Sequence, residues 1–283
     1  MENFSLYVGR RPAMALLTSV GLGLGACAGL SPGDSVPPVL SAERIADIIA
    51  SPDRFAADRI NDLRRAPAQM LAFIGIRPGM VVLDVSAGGG YTTELLARAT
   101  GPTGRVYGQS APRVLRTPPA APEGNATGAA APASGAARPS PVNLAARAAK
   151  FGHIVALVQP FEAPVPAALA SNGLDLVTLM FNYHDLGHMG VDRAQMNRAL
   201  FLALKPGGAY VIADHAGRPG TGISESGTLH RIEEAFLRAE VEQAGFKLAG
   251  AAQFLRNPAD PRDRNTPNPP QPKDEFVLRF VKP

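Results

Sequence analysis

The sequence predicts an α/β protein built on a doubly wound, mostly parallel seven-stranded sheet with helices on both faces. Three features carry that prediction. Met80 to Val85 is a short, Val-rich apolar run bounded by Pro78-Gly79, which suits a parallel strand covered on both faces. It leads through Gly88-Gly89-Gly90 into a helical pattern with Leu95, Leu96 and Ala99 on one face. Further apolar runs of strand length, at 104–108, 154–158, 174–181 and 209–213, alternate with helical segments. The last two runs, 246–255 and 276–281, have only a Pro/Asn/Asp-rich loop between them and close the sheet as an antiparallel pair.

Residues 1–26 read as an export signal. Arg10-Arg11 form a positive n-region, and Ala13 to Ala26 is a stretch of small and aliphatic residues. A spanning helix needs about 20 apolar residues, more than this stretch supplies. Leu24-Gly25-Ala26-Cys27 resembles the lipobox of bacterial lipoproteins, which implies a lipid on Cys27, the only cysteine. The expectation is an exported lipoprotein in the periplasm, touching the membrane only through that anchor. Residues 27–40 are Gly/Pro/Ser-rich and read as a tether, leaving 41–283 as the domain. A single cysteine allows no internal disulfide.

From Ser41 the pattern turns helical, with Ile45, Ile48 and Ile49 on one face. Pro52 starts a second helical stretch and Pro67 a third, ending at Ile74. Arg54, Arg59, Arg64 and Arg65 read as solvated positions, while Phe55 and Arg59 are candidates to touch a ligand if these helices cover a cleft. Residues 112–141 are Ala/Pro/Gly/Ser-dominated, lack large apolar side chains, and read as a disordered surface insertion. Beyond it, 144–151 reads as a helix. Asp192 caps a helix whose inner face is Met196, Ala199, Leu200 and Leu204. A later helix running from Leu229 places Ile232, Phe236 and Ala239 inward and stops before Gly245.

Composition excludes one class of function. The formal charge is only +4, from 28 basic and 24 acidic residues, and the two signs are interspersed. No phosphate-tracking stripe results, and 6% aromatic residues make a poor base-stacking surface. Nucleic acid is not expected as a partner.

In open α/β sheets ligands bind beyond the C-terminal strand ends. Asp84, Gln109, Asn182, Tyr183, His184, Asp185, Asp214 and His215 fall at or just past such ends, and His230 lies near the following helix. Four of the five histidines lie between 184 and 230. Imidazole titrates near neutral pH, so His184 or His215 suits a proton acceptor oriented by Asp185 or Asp214. Tyr183 and His230 are placed to position an acceptor.

The segment around Asp84, Ser86, Gly88 and Gly90 resembles the first motif of class I S-adenosylmethionine-dependent methyltransferases, with Ser86 replacing the usual first glycine. Leu204-Lys-Pro-Gly-Gly-Ala-Tyr-Val-Ile-Ala-Asp214 resembles the turn by which these enzymes enter their fifth strand. Asn182-Tyr-His-Asp185 and Leu229-His-Arg-Ile232 are similar to segments of a group of predicted exported bacterial methyltransferases. The resemblance implies S-adenosyl-L-methionine as cofactor, held by Asp84, Ser86, Gly88, Gly90, Tyr91, Gln109, Phe161 and Asn182. It also implies an acidic ribose ligand just past the second strand, where this chain has Gln109-Ser110. Phe161 is placed either against the adenine ring or in the core.

Two other readings stay open. One is a cofactor-free binding protein on the same scaffold. The other is a metal site from His184, His188, His215 and an Asp. His184 and His188 share the spacing of one helical face, but Gly187 and Gly190 argue against a helix, so no metal is expected.

Overall fold

The computed structural model describes residues 38–112, 143–265, 267 and 271–283. The expected export signal, lipid anchor and most of the tether lie outside them, as does nearly all of the Ala/Pro-rich insertion. Among the described residues no helix is long and apolar enough to cross a membrane.

Three helices come first: α1 (Ala42–Ala50), α2 (Ala56–Arg65) and α3 (Pro67–Ile74). Ser41 caps α1 by accepting from Arg44 N, and α1 buries Ile45 and Ile48 while Ile49 is partly covered. The second helix starts at Ala56 rather than at Pro52, because Pro52 to Phe55 form a turn. Then follow β1 (Val81–Val85), α4 (Tyr91–Thr100), β2 (Arg105–Ser110), α5 (Leu144–Lys150), β3 (Ile154–Val158) and β4 (Leu174–Met180). The remainder is α6 (Asp185–His188), α7 (Arg193–Ala203), β5 (Leu204–His215), α8 (Ser226–Leu229), α9 (Glu234–Gln243), β6 (Lys247–Ala252) and β7 (Glu275–Val281).

The seven strands lie in the order β3-β2-β1-β4-β5-β7-β6. The first five are parallel, and β7 inserts antiparallel between β5 and β6. Strand order reverses around β1, whose neighbours are β2 and β4, so the crevice of the fold opens past Val85 and Met180. The central strands are apolar on both faces because helices cover both. Leu83, Val85, Val177 and Leu179 feed one core, with α7 and α9. Val82, Leu176, Val211 and Ala213 feed the other, with α1, α3 and α4.

Two helical expectations are corrected. The helix expected from Leu229 is two short pieces, broken at His230, whose φ of 52° is left-handed. Because α9 begins at Glu234, its buried face is Leu237 and Val241, and Ala239 is exposed. Conversely, α6 forms one helical turn despite its glycine. Gly187 suits the close packing there, since a Cβ would stand 2.7 Å from the Ile223 side chain, and Gly190 at φ 71° only ends the turn.

Candidate functional site

The turn after β1 is held open by its own backbone. Ser86, Gly88 and Gly90 have φ of 57°, 55° and 81°. Glycine adopts this region freely, whereas serine there costs about 1–2 kcal/mol. Three contacts hold Ser86: its N–H donates to Gln109 Oε1 at 2.9 Å, Ala87 N–H donates to Gln109 O at 2.8 Å, and its hydroxyl donates to Asn182 Oδ1. A Cβ on Gly88 would meet nothing within 4 Å, so the turn faces open space. On Gly90 it would stand 2.8 Å from Arg147 Cδ.

That space is a cleft of about 420 Å³, within the range of small-molecule sites. Asp84 lies at its floor, accepting from the Thr93 hydroxyl at 2.6 Å and the Thr178 hydroxyl at 2.7 Å. Burial raises the Asp84 carboxyl to about 6, against these two hydrogen bonds. Asn61 and Arg65 of α2 form the opposite wall. The first helices therefore do flank the cleft, but not through Phe55 or Arg59. Phe55 lies under the Arg147 guanidinium, and Arg59 donates to Ser51 O at 2.9 Å.

Several arginines expected in solvent are structural. Arg54 is buried in a two-pronged pair with Asp62, both bonds 2.8 Å, and Tyr91 OH donates to the same carboxylate at 2.8 Å. The Arg65 guanidinium lies 5.3 Å from the Tyr91 ring centre and 4.9 Å from that of Phe181. Arg147, unflagged by the sequence, is 2% exposed and reaches from α5 to Asp58, Glu94 and the Gly89 carbonyl.

Three expected site residues face elsewhere. Gln109 is fully buried; Oε1 accepts from Ser86 N, and Nε2 donates to Gln159 O at 2.6 Å. Its amide braces the turn, and with no exposure it presents nothing to the cleft. Phe161 packs into the core rather than at the cleft rim. Tyr183 is also a core residue: its OH donates to Glu240 Oε2 at 3.0 Å and accepts from Asn197 Nδ2 at 2.9 Å. Asn182 and Tyr91 do line the cleft.

The histidines gather behind Asn182, which donates to Asp185 Oδ2 at 2.6 Å. His184 is buried, its Nδ1 2.6 Å from Asp214 Oδ1 and its Nε2 3.1 Å from Asp185 Oδ1. His230 Nδ1 lies 2.8 Å from that same Asp185 oxygen. His188, at the end of the turn, has Nδ1 3.0 Å from Ser226 Oγ. The structure thus brings together His184, Asp185 and His230, and the His215 ring lies 5.3 Å from that of His184, tilted by 42°.

His215 opens onto a second cavity of about 580 Å³, shared with Lys273 and Glu275. Its Nδ1 is 2.8 Å from Glu275 Oε1, too oblique to make a hydrogen bond. Burial lowers the imidazole to about 3 and raises the Glu275 carboxyl to about 7. Phe181 lines the first cavity and lies 5.8 Å from the His215 ring of the second. Glu275 was missed in the sequence, although the β5–β7 pairing sets it opposite His215.

The model of the protein-L-isoaspartate(D-aspartate) O-methyltransferase family matches residues 60–116, about a fifth of the chain. No curated protein matches. Among solved structures, the putative methyltransferase of Haloferax volcanii, in complex with a methyltransferase activator, is 18% identical with a TM-score of 0.51, covering 81% of this chain and 93% of that one. The fold is that of class I methyltransferases. An Aquifex aeolicus SAM dependent methyltransferase is 17% identical with a TM-score of 0.48, covering 81% of this chain and 100% of the other. The [4+2]-cyclase SpnF is 16% identical with a TM-score of 0.49, covering 81% of each.

The residues at the glycine turn fit the methionine end of S-adenosylmethionine. Gly88 leaves a bare backbone for close approach, and Asp84 supplies a carboxylate for a cationic group. The ribose end is less well provided for, because Gln109 is buried in the turn.

Proposed function

We propose that the chain is an S-adenosylmethionine-dependent methyltransferase acting on an unidentified small-molecule acceptor. The observation that carries this reading is the left-handed turn at Gly88, open toward a cleft floored by Asp84. When bound, the cofactor supplies an electrophilic methyl group on a sulfonium. The chain's own tasks are to seat it, exclude water, hold the acceptor and take its proton.

Asn61, Arg65 and Tyr91 close the cleft on the α2 and α4 side. His184 is not the direct base, because both its ring nitrogens face carboxylates and the ring is buried. The second cavity is where an acceptor is proposed to lie. Glu275 is the better proton acceptor there, since its carboxyl titrates near neutral pH, and His215 beside it stays neutral. We also propose export and lipidation at Cys27, which Cys27→Ala should abolish in a radiolabelled-palmitate assay.

One observation favours a cofactor-free binding protein instead: Gln109 stands where an acidic ribose ligand is implied, and its amide is buried against Ser86 and Gln159. Titration calorimetry with S-adenosylmethionine separates the two. Micromolar binding, lost in Gly88→Val, supports the enzyme; no heat at millimolar cofactor removes it.

A further inference from the structure

We propose that His184, Asp185 and His230 form a binding site for a divalent transition-metal ion, with zinc the best match to its ligands. Their ligand atoms, His184 Nε2, Asp185 Oδ1 and His230 Nδ1, all lie within 4.8 Å of one another. Two ligands on a tetrahedral ion, each about 2.0–2.1 Å from it, are about 3.3 Å apart. Two edges of the triangle, 3.1 Å and 2.8 Å, need only a small expansion to admit the ion.

The surroundings of His184 set its tautomer. Asp214 receives the backbone N–H of His184 on Oδ2 at 2.7 Å and faces Nδ1 with Oδ1 at 2.6 Å. Asp214 occupies the Nδ1 side of the ring, which leaves Nε2, 3.1 Å from Asp185 Oδ1, as the nitrogen available to an ion. A bound cation would bring Nε2 and this carboxylate oxygen, 3.1 Å apart, into favourable contact with the same charge. A carboxylate behind a histidine, fixing its free nitrogen toward the ion, is the usual second layer of a metal site. Asp185 has such support too, from Asn182 Nδ2 on its other oxygen.

The ligand set is two imidazoles and one carboxylate, which selects zinc, iron(II), nickel or cobalt over calcium or magnesium. Three protein ligands leave at least one position open. His184 is buried, while Asp185 and His230 are partly exposed, so the ion is reachable from solvent. Asn182 lines the glycine-turn cleft and touches Asp185, so the ion would sit one residue behind that cleft. The site does not depend on the proposed methyl transfer, and its test reads no activity.

The test uses the full chain freed of metal by chelator, titrated with zinc by calorimetry and with cobalt(II) by visible absorption. The expected result is one ion per chain and a ligand-field band from bound cobalt. His230→Ala and Asp185→Asn should each lose the stoichiometric binding and the band, while His153→Ala, outside the cluster, keeps both. His230 is partly exposed, so its variant should fold, which its melting curve verifies. Absence of saturable uptake by the native chain overturns the proposal, because protons alone would then bridge these groups. So does a folded His230→Ala protein that binds one ion with native affinity.

Discussion

The Asp214 carboxylate takes two hydrogen bonds from His184, from its backbone N–H at 2.7 Å and from Nδ1–H at 2.6 Å, and a third from His215 N–H at 2.8 Å. All of this happens with Asp214 wholly buried at the end of β5. Asp214→Asn would turn one acceptor into a donor facing an N–H. The expected cost is about 1–3 kcal/mol, read as a shift in urea midpoint. It should also weaken zinc binding by about 10- to 100-fold, because the imidazole loses its orienting partner. An unchanged midpoint would show that the carboxylate does not anchor these three N–H groups.

Arg147 ties three elements together. Its guanidinium makes two 2.8 Å bonds to Asp58 on α2, pairs with Glu94 on α4, and donates to the Gly89 carbonyl at 2.6 Å. Arg147→Met would leave Asp58 buried without its cation, while Glu94 keeps Arg98 at 2.7 Å, a loss of about 3–5 kcal/mol. In the double variant with Asp58→Asn the losses should fall well short of additive, measured by a denaturation cycle. Full additivity would mean that the pair is not coupled.

How much of this was readable in the sequence depends on the range of the forces involved. The strands were legible because apolar runs such as 81–85 and 174–180 record burial locally. The crevice beside Asp84 followed from the order of elements alone. Tyr183 and His184 are different: they follow the end of β4, where strand alternation no longer fixes direction, and one goes to the core and the other to the cluster. Arg147 was invisible because its partner Asp58 is 89 residues away. The break at His230 was missed because nothing in Leu229-His-Arg-Ile232 signals left-handed backbone.

The two conformationally demanding glycines of the turn should respond differently to alanine. Gly88→Ala keeps free space around its Cβ and pays only the left-handed backbone cost of about 1–2 kcal/mol. Gly90→Ala adds collisions with Arg147 and Leu144, both under 3.0 Å, and should destabilise by more. Cofactor affinity should show the reverse order, because the Gly88 Cβ projects into the cleft. Thermal melts and calorimetry read the two quantities separately, and an equal pair of melting points would refute the packing argument.

Installing the missing acid should hurt. Gln109→Glu would set a carboxylate oxygen against the Gln159 carbonyl, where Nε2 now donates at 2.6 Å, in a position with no exposure. A loss of about 1–3 kcal/mol is expected, with no gain in cofactor affinity. Tighter binding in that variant would mean that the side chain turns out to the cleft, contrary to its present contacts.

Asp84 gives the fold a pH signature. Its carboxyl is raised from 3.8 to about 6, mainly by burial. Between these values the folded chain binds more protons than the unfolded one, so this group's contribution to stability is greatest below pH 4 and is lost as pH rises through 6. The size is roughly 3 kcal/mol across the window, at about 1.4 kcal/mol for each unit of displacement. Other carboxylates contribute their own slopes, so the informative quantity is the difference between native protein and Asp84→Asn. That difference should shift toward the native protein on acidification from pH 7 to pH 4.5, and level off above pH 7. Parallel stability curves for the two proteins would show that Asp84 is ionised in the fold at its ordinary pH, and that burial does not govern it.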